Sequence, residues 1–107
     1  MLESSLLSFY SNSGPERGGI ITRLGPVECK NISDNPTESY EMSYEDMDKL
    51  DNADTFGTFH THPNESGNLS YDDYQSFMAY PALQHYIIGK DGVHTYKVVD
   101  GRLLNES

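Results

Sequence analysis

The chain of 107 residues is poor in cysteine, basic side chains and long apolar runs, and it has no tryptophan. Its single cysteine, Cys29, excludes an intramolecular disulfide and a cysteine-based zinc cage. Seven basic residues against 17 acidic ones give a net charge of −10, which repels nucleic-acid phosphates and anionic membranes. No run approaches the roughly 18 apolar residues of a membrane span. We therefore expect no nucleic-acid partner, no membrane association and a reducing, cytoplasmic compartment.

The length predicts one domain, residues 1–107, because domains typically contain about 100–200 residues. The first eleven residues include Glu3 but no basic stretch, so we expect no signal peptide. The charge balance favours cations and basic groups as partners. The composition leaves the oligomeric state open.

The pattern of apolar residues predicts helices and strands in alternation. Helical spacing predicts helices at 2–11, 43–52 and 71–80, the latter two capped by Ser43 and Ser70. Alternating or β-branched runs predict strands at 19–25, 27–32, 40–42, 55–62, 85–89 and 93–99. This order predicts an α+β fold, an α/β/α-like sandwich with a mixed sheet of about five to six strands flanked by helices. Periodicity does not reveal which strands are neighbours.

The stretch FGTFHTHPNESGNLSYDDY, residues 56–74, concentrates groups that bind metals. His60 and His62 are two apart on a predicted strand, so their imidazoles project from the same face. Asp73 lies in the first turn of the next predicted helix, where its carboxylate can supply a third ligand. Two histidines and a carboxylate leave a tetrahedral zinc ion one open position for water. The same ligands also suit non-heme iron, so zinc is the first expectation and not the only one.

Each part of this pattern also has an explanation without a metal. A His-x-His pair in a strand often arises by chance. Ser70 and Asp73 have the spacing of a helix capping box, in which each side chain accepts a hydrogen bond from the other's backbone N–H. An Asp73 carboxylate bound to metal is less free to reach back to Ser70, so the two explanations compete for that side chain.

Taken together, His60, Thr61, His62, Pro63, Ser70 and Asp73 form the longer pattern H-x-H-P-x(6)-S-x(2)-D. This pattern resembles the signature of the JAMM zinc metalloproteases, also called the MPN-plus or JAB-domain family. The segment GPERGGII, residues 14–21, resembles the context of the family's N-terminal glutamate, with Gly18 where many relatives have cysteine. LSYDDYQSF and HYIIGKDGVHTY are similar to the end of small prokaryotic and bacteriophage tail assembly members.

The resemblance implies a cytidine-deaminase-like JAB/MPN fold and a metallopeptidase that cleaves a peptide or isopeptide bond through a metal-activated water. His60, His62 and Asp73 would hold one zinc ion per chain. Glu16 would act as the general base, and Ser70 would help to stabilise the oxyanion. The compartment would then be the cytoplasm of a bacterium or of a phage-infected cell.

Several alternatives stay open within this interpretation. Glu28 is a rival to Glu16, although its place inside a predicted strand makes it the second choice. The substrate would be a protein or peptide, such as a ubiquitin-like protein or a phage tail protein, adding as a strand to a sheet edge beside His60. A catalytically silent MPN-fold assembly module is the alternative function. A nuclease is a third, and the charge of −10 opposes it.

Overall fold

A six-stranded mixed sheet with helices on both faces forms the framework of the molecule, which is α+β as the sequence predicts. The structure, a computed structural model, describes residues 2–107. The helices are α1 (Leu2–Leu7), α2 (Tyr44–Met47) and α3 (Tyr71–Ala79), and a 3₁₀ turn, Asp48–Asp51, follows α2. The strands are β1 (Gly18–Thr22), β2 (Gly25–Cys29), β3 (Thr55–Thr61), β4 (Gln84–Gly89), β5 (Gly92–Val99) and β6 (Arg102–Asn105). No helix within residues 2–107 combines the length and the apolar character needed to cross a bilayer.

The strands lie in the order β2-β1-β3-β4-β5-β6. β3 and β4 are parallel, and every other neighbouring pair is antiparallel. β3 is therefore an interior strand, with Gly18 beside His60 on one side and Ile87 beside His60 on the other. The prediction that a peptide adds to a sheet edge beside His60 is wrong, because both edges of β3 are already paired.

Consecutive residues of each central strand face opposite sides of the sheet and pack into separate cores. The core beneath α1 contains Leu6, Ile21, Phe59 and Ile88. The opposite face carries two clusters, one with Ile20, Cys29, Leu50 and Leu83 and one with Phe77, Ile87 and Tyr96. Because His60 follows Phe59 along β3, its imidazole faces the side of the sheet that α3 covers, 6.1 Å from the ring of Phe77.

The first two helices are shorter than their sequences predict. α1 ends at Leu7, after which the amides of Phe9 and Tyr10 bond three residues back and turn Phe9 onto Phe59. The predicted helix 43–52 is α2 followed by the 3₁₀ turn. Asp48 and Asp51 place negative charge where a helix C-terminus is already negative, which accounts for the early end.

The sheet has one strand that the sequence analysis did not find and lacks one that it proposed. β6 lies beyond residue 99, where the sequence analysis places no element, and it pairs with β5 from Val99–Arg102 to Tyr96–Asn105. Residues 40–42 form no strand, although the amide of Ile32 donates to the carbonyl of Glu41. This segment crosses the sheet face toward α3 and becomes part of the candidate site.

Candidate metal centre

The end of β3 brings two imidazoles to the same face, as the two-residue spacing predicts. The ring centroids of His60 and His62 are 5.1 Å apart, and both side chains are buried. Thr61, between them, points to the other face, where its Oγ1 accepts a hydrogen bond from the Arg17 amide at 2.9 Å. The two imidazoles therefore lie next to each other on the side of the sheet that α3 covers.

The first turn of α3 carries Asp73 to these imidazoles. Its Oδ1 lies 3.0 Å from Nε2 of His60, and its Oδ2 lies 3.2 Å from Nε2 of His62. The same Oδ2 accepts a hydrogen bond from the Ser70 amide, and Ser70 Oγ accepts one from the Asp73 amide. The predicted capping box is confirmed, and the carboxylate that completes it also contacts both imidazoles.

Glu16 reaches the same place through the pairing of β1 with β3. The Thr61 amide donates to the Arg17 carbonyl at 2.8 Å, which extends the ladder beyond β1 and sets Glu16 beside His62. Glu16 is only 6% exposed. One carboxylate oxygen of Glu16 and one ring nitrogen each of His60 and His62 all lie within 4.8 Å of one another. Two carboxylates thus approach one pair of histidines.

A loop anchored by Asn31 fixes the backbone of Glu16. The Glu16 amide donates to the Pro36 carbonyl at 2.7 Å. The Asn31 side-chain amide donates to the Glu16 carbonyl at 3.0 Å and to the Ser39 carbonyl at 2.9 Å. The loop that borders the site and the segment that carries Glu16 are therefore held together by one side chain.

Gly18 lies at a position where no side chain fits, which gives a steric reason for glycine there. A Cβ on Gly18 would lie 2.6 Å from the Phe59 carbonyl oxygen and 2.9 Å from both the Cβ of His60 and a ring carbon of Tyr40. The Tyr40 ring is nearly parallel to the His60 ring, and its hydroxyl donates to the Cys29 carbonyl at 2.7 Å. The Phe59 carbonyl, His60 and Tyr40 together take the space that a side chain at position 18 would need.

The two carboxylates have opposite protonation tendencies. Burial raises the pKa of Glu16 to about 7, against the opposing influence of His60 and His62. Burial also acts to raise the pKa of Asp73, but its contacts with the two imidazoles outweigh burial and lower that pKa well below its usual range. Similarly, the contact with Asp73 raises the pKa of His62 despite burial. At neutral pH Asp73 is ionised, and Glu16 is poised to gain or lose a proton.

The donor atoms fit a small divalent cation. Nε2 of His60 is buried and makes no hydrogen bond, although a carboxylate oxygen lies 3.0 Å away. Two atoms bound to tetrahedral zinc at about 2.0–2.1 Å lie roughly 3.3 Å apart. The imidazole–carboxylate separations of 3.0 and 3.2 Å are close to that value. Each imidazole–carboxylate contact thus has the spacing of two ligands on one cation, whereas the three residues whose ligand atoms all lie within 4.8 Å of one another are Glu16, His60 and His62.

A second set of contacts orients His62. Its Nδ1–H donates to the Ser66 carbonyl at 3.1 Å, which leaves the Nε2 lone pair free in the neutral ring. Asp91, in the β4–β5 turn, accepts hydrogen bonds of 2.9 Å from the Ser66 hydroxyl, the Gly67 amide and His94 Nε2. These donors, the Gly67 amide foremost, lower the pKa of Asp91. Asp91 thereby fixes the loop whose carbonyl orients His62.

The sequence analysis missed this role of Asp91. The only sequence signal at Asp91 is its place between the predicted strands 85–89 and 93–99. That signal predicts a bend in the chain and not a contact with Ser66, 25 residues away.

Ser70 and Glu16 line one cavity of about 290 Å³ together with His62 and Asp73. Ser70 is exposed there, and its Oγ accepts from the Asp73 amide, so its hydroxyl hydrogen is free to donate elsewhere. Glu16, His62, Ser70 and Asp73 thus line this cavity, and His60 lies directly beside it.

Glu28 lies away from this cavity. Its carboxylate accepts two hydrogen bonds of 2.8 Å from the Arg17 guanidinium, and its side chain is 41% exposed. The salt bridge lowers the pKa of Glu28. An exposed, paired carboxylate is a poor general base, so the geometry favours Glu16 over this rival.

No protein-family model matches the chain, and no curated protein matches it either. Among solved structures, the chain is similar to the solution structure of protein DSY2949 from Desulfitobacterium hafniense, with a TM-score of 0.72 and 17% sequence identity. The match covers 99% of this chain and 86% of DSY2949. At this identity the similarity concerns the fold alone.

Proposed function

We propose that this protein is a zinc-dependent metallopeptidase that hydrolyses a peptide or isopeptide bond. The observation that carries the proposal is the contact of both Asp73 oxygens with the Nε2 atoms of His60 and His62, at 3.0 and 3.2 Å. The resemblance of the H-x-H-P-x(6)-S-x(2)-D pattern to the JAMM signature supports the same assignment. One zinc ion per chain would be held by these three side chains.

The chemistry of the two carboxylates supports different roles for them. Asp73 has a lowered pKa and the shorter contacts, so it is the ligand. Glu16 has a pKa of about 7, and a general base works best when its pKa is near the working pH. Glu16 is thus the group that takes a proton from the attacking water and passes it to the leaving nitrogen.

Bound zinc would supply a lowered pKa for a coordinated water and polarisation of the substrate carbonyl. The other contributions come from side chains. Ser70 donates its hydroxyl hydrogen toward the developing oxyanion while its oxygen keeps the bond from the Asp73 amide. The carbonyl of Ser66 keeps His62 in the tautomer that presents Nε2.

The surroundings of the site favour a neutral or basic peptide. Four further acidic residues line the same cavity: Glu38, Glu41, Glu65 and Asp72. Acidic substrates are repelled at this rim, whereas lysine-containing segments are attracted. We propose a protein or peptide as the substrate, either a ubiquitin-like protein or a phage tail protein. The compartment would be the cytoplasm of a bacterium or of a phage-infected cell.

The test combines metal analysis with a cleavage screen. Wild-type protein purified without added metal should contain about one zinc per chain and should cleave at least one member of a panel of linear and isopeptide-linked substrates. Asp73→Asn should lose zinc, because asparagine can keep the helix cap but lacks the negative charge of the proposed ligand. A wild type that is active without metal would refute the proposal. A fully loaded protein that cleaves nothing on the panel would instead favour the silent assembly module.

The same test shows which of the two carboxylates binds zinc and which acts as the general base. Glu16→Gln should retain zinc while Asp73→Asn loses it. If the two variants behave in the opposite way, Glu16 is the ligand, and the Glu16–His60–His62 group is the metal site.

A further inference from the structure

A second cavity, of about 180 Å³, opens on the other side of His60 and Asp73. It lies between α3, strands β3 and β4, and the segment 40–50. Its walls are mainly apolar side chains: Met42, Met47, Leu50, Phe77 and Tyr80. Protein cores normally leave few voids larger than a water molecule, so a space of this size indicates room for a ligand group.

The innermost wall of this cavity includes an uncharged histidine. His85 Nε2 lies 3.0 Å from the Tyr80 carbonyl, which can only accept, so Nε2 carries the hydrogen. Nδ1 of His85 then accepts from the Thr58 hydroxyl at 2.7 Å. The His85 ring also stacks on Phe77, with centroids 4.2 Å apart. With both nitrogens occupied, His85 offers an entering group a ring face and no charge.

This apolar cavity adjoins the catalytic one. Tyr40, Glu41, Asp73 and Ser76 line both. A peptide whose carbonyl is placed at the His60–Asp73 junction therefore has an apolar recess directly beside the reacting bond. Met42 and Met47 at its wall have flexible thioethers that adapt to different shapes.

We propose that the apolar cavity is a specificity subsite that binds a large apolar side chain, leucine, methionine or phenylalanine, of a residue flanking the cleaved bond. This inference rests on the proposed peptidase function and adds a substrate class to it. An apolar cavity of about 150 Å³ holds a benzene molecule, so about 180 Å³ is sufficient for such a side chain. Acidic side chains are excluded, because Asp73 and Glu41 flank the opening.

Binding of small probes tests the subsite separately from catalysis. N-acetyl-leucine N-methylamide and the matching glycine compound are titrated into the protein with and without zinc, and amide shifts are followed by NMR. The leucine probe should bind about tenfold or more tightly, because it buries an apolar side chain that glycine lacks. The largest shifts should fall on Met42, Met47 and Tyr80. Equal affinities, or shifts elsewhere, would overturn the inference.

A variant that fills the apolar cavity, compared with a control variant that does not, tests the subsite by mutation. Ser76 is exposed on α3 and lines the apolar cavity, so Ser76→Phe adds a ring at its wall. Gln75→Phe puts the same ring on the neighbouring exposed position, which does not line the cavity. Ser76→Phe should lower affinity for the leucine probe at least tenfold, and Gln75→Phe should leave it unchanged. Identical behaviour of the two variants would refute the subsite.

The outcomes for the subsite and for the peptidase are distinguishable. Cleavage of a peptide library without preference for apolar residues at either flanking position refutes the subsite and leaves the peptidase intact. Selective binding of the leucine probe by a protein that binds no zinc supports the cavity as an apolar ligand site and refutes the peptidase.

Discussion

Ser70 and Asp73 hydrogen-bond each other in both directions, through Ser70 N–H to Asp73 Oδ2 at 3.2 Å and Asp73 N–H to Ser70 Oγ at 3.1 Å. The same Asp73 carboxylate faces both imidazoles. The beginning of α3 and the position of the third ligand are therefore coupled. Loosening of the first helical turn would move the carboxylate away from His60 and His62.

Ser70→Ala is expected to lower both stability and rate. Loss of the cap should reduce the free energy of unfolding by about 1 kcal/mol. Loss of an oxyanion donor should reduce kcat by roughly 10²–10³. Urea denaturation and steady-state kinetics measure the two effects. Ser43→Ala is the control for the cap, because Ser43 Oγ accepts from the Asp46 amide at 3.1 Å and Ser43 does not line the cavity that contains Glu16 and Ser70. Equal rates for the two variants would leave Ser70 as a cap alone.

Glu16→Gln should retain zinc and lose nearly all cleavage, since an amide cannot accept the proton. The measurements are zinc content and kcat/KM on the best substrate from the panel. Glu28→Gln should behave like the wild type, because Glu28 is paired with Arg17 on β2. Near-normal turnover of Glu16→Gln would show that another group is the base.

The metal-free protein should lose stability as the pH rises from about 4.5 to about 7. The pKa of Glu16 is raised to about 7 in the folded state by burial, from 4.5, so the folded state binds its proton more tightly. The contribution is fully favourable below pH 4.5 and is lost as the pH rises through 7. Glu16→Gln should therefore be more stable than wild type at pH 8 and not at pH 4, by urea denaturation in the presence of a chelator. The same difference in the free energy of unfolding at pH 4 and pH 8 would contradict a raised pKa for Glu16.

Asp91→Asn should weaken zinc binding by about 10–100-fold without contacting the metal. Its carboxylate fixes the loop whose Ser66 carbonyl accepts from His62 Nδ1. Competition with a chromophoric chelator measures the affinity. Asp100→Asn, in the exposed turn before β6, should bind zinc as the wild type does. Wild-type affinity in Asp91→Asn would exclude a positioning role.

The parts of the site that are close in sequence were predictable because local geometry fixes them. Residues two apart in a strand share a face, which pairs His60 with His62. A serine and an acid three apart at a helix start form a capping box, which orients Asp73. Glu16 was found only through the family resemblance, because a carboxylate in a loop has no periodicity to mark it.

The parts that depend on contacts between distant segments were not predictable. Asp91 acts on a loop 24–25 residues away in sequence, and no local rule predicts that contact. The apolar cavity requires the 40–50 segment, α3 and β4 to meet, and strand order is not visible in hydrophobic periodicity. β6 is only four residues long, and it is stabilised mainly by its pairing with β5.

The Asn31 side chain binds both the Glu16 backbone and the loop around Ser39. The imidazoles are carried by the central sheet, whereas one wall of the cleft is formed by a loop that Asn31 anchors. Such a loop can gain or exchange residues between its anchor points while the imidazoles stay in place. Changes in this loop would therefore alter the wall of the cleft without moving the sheet that carries the two imidazoles.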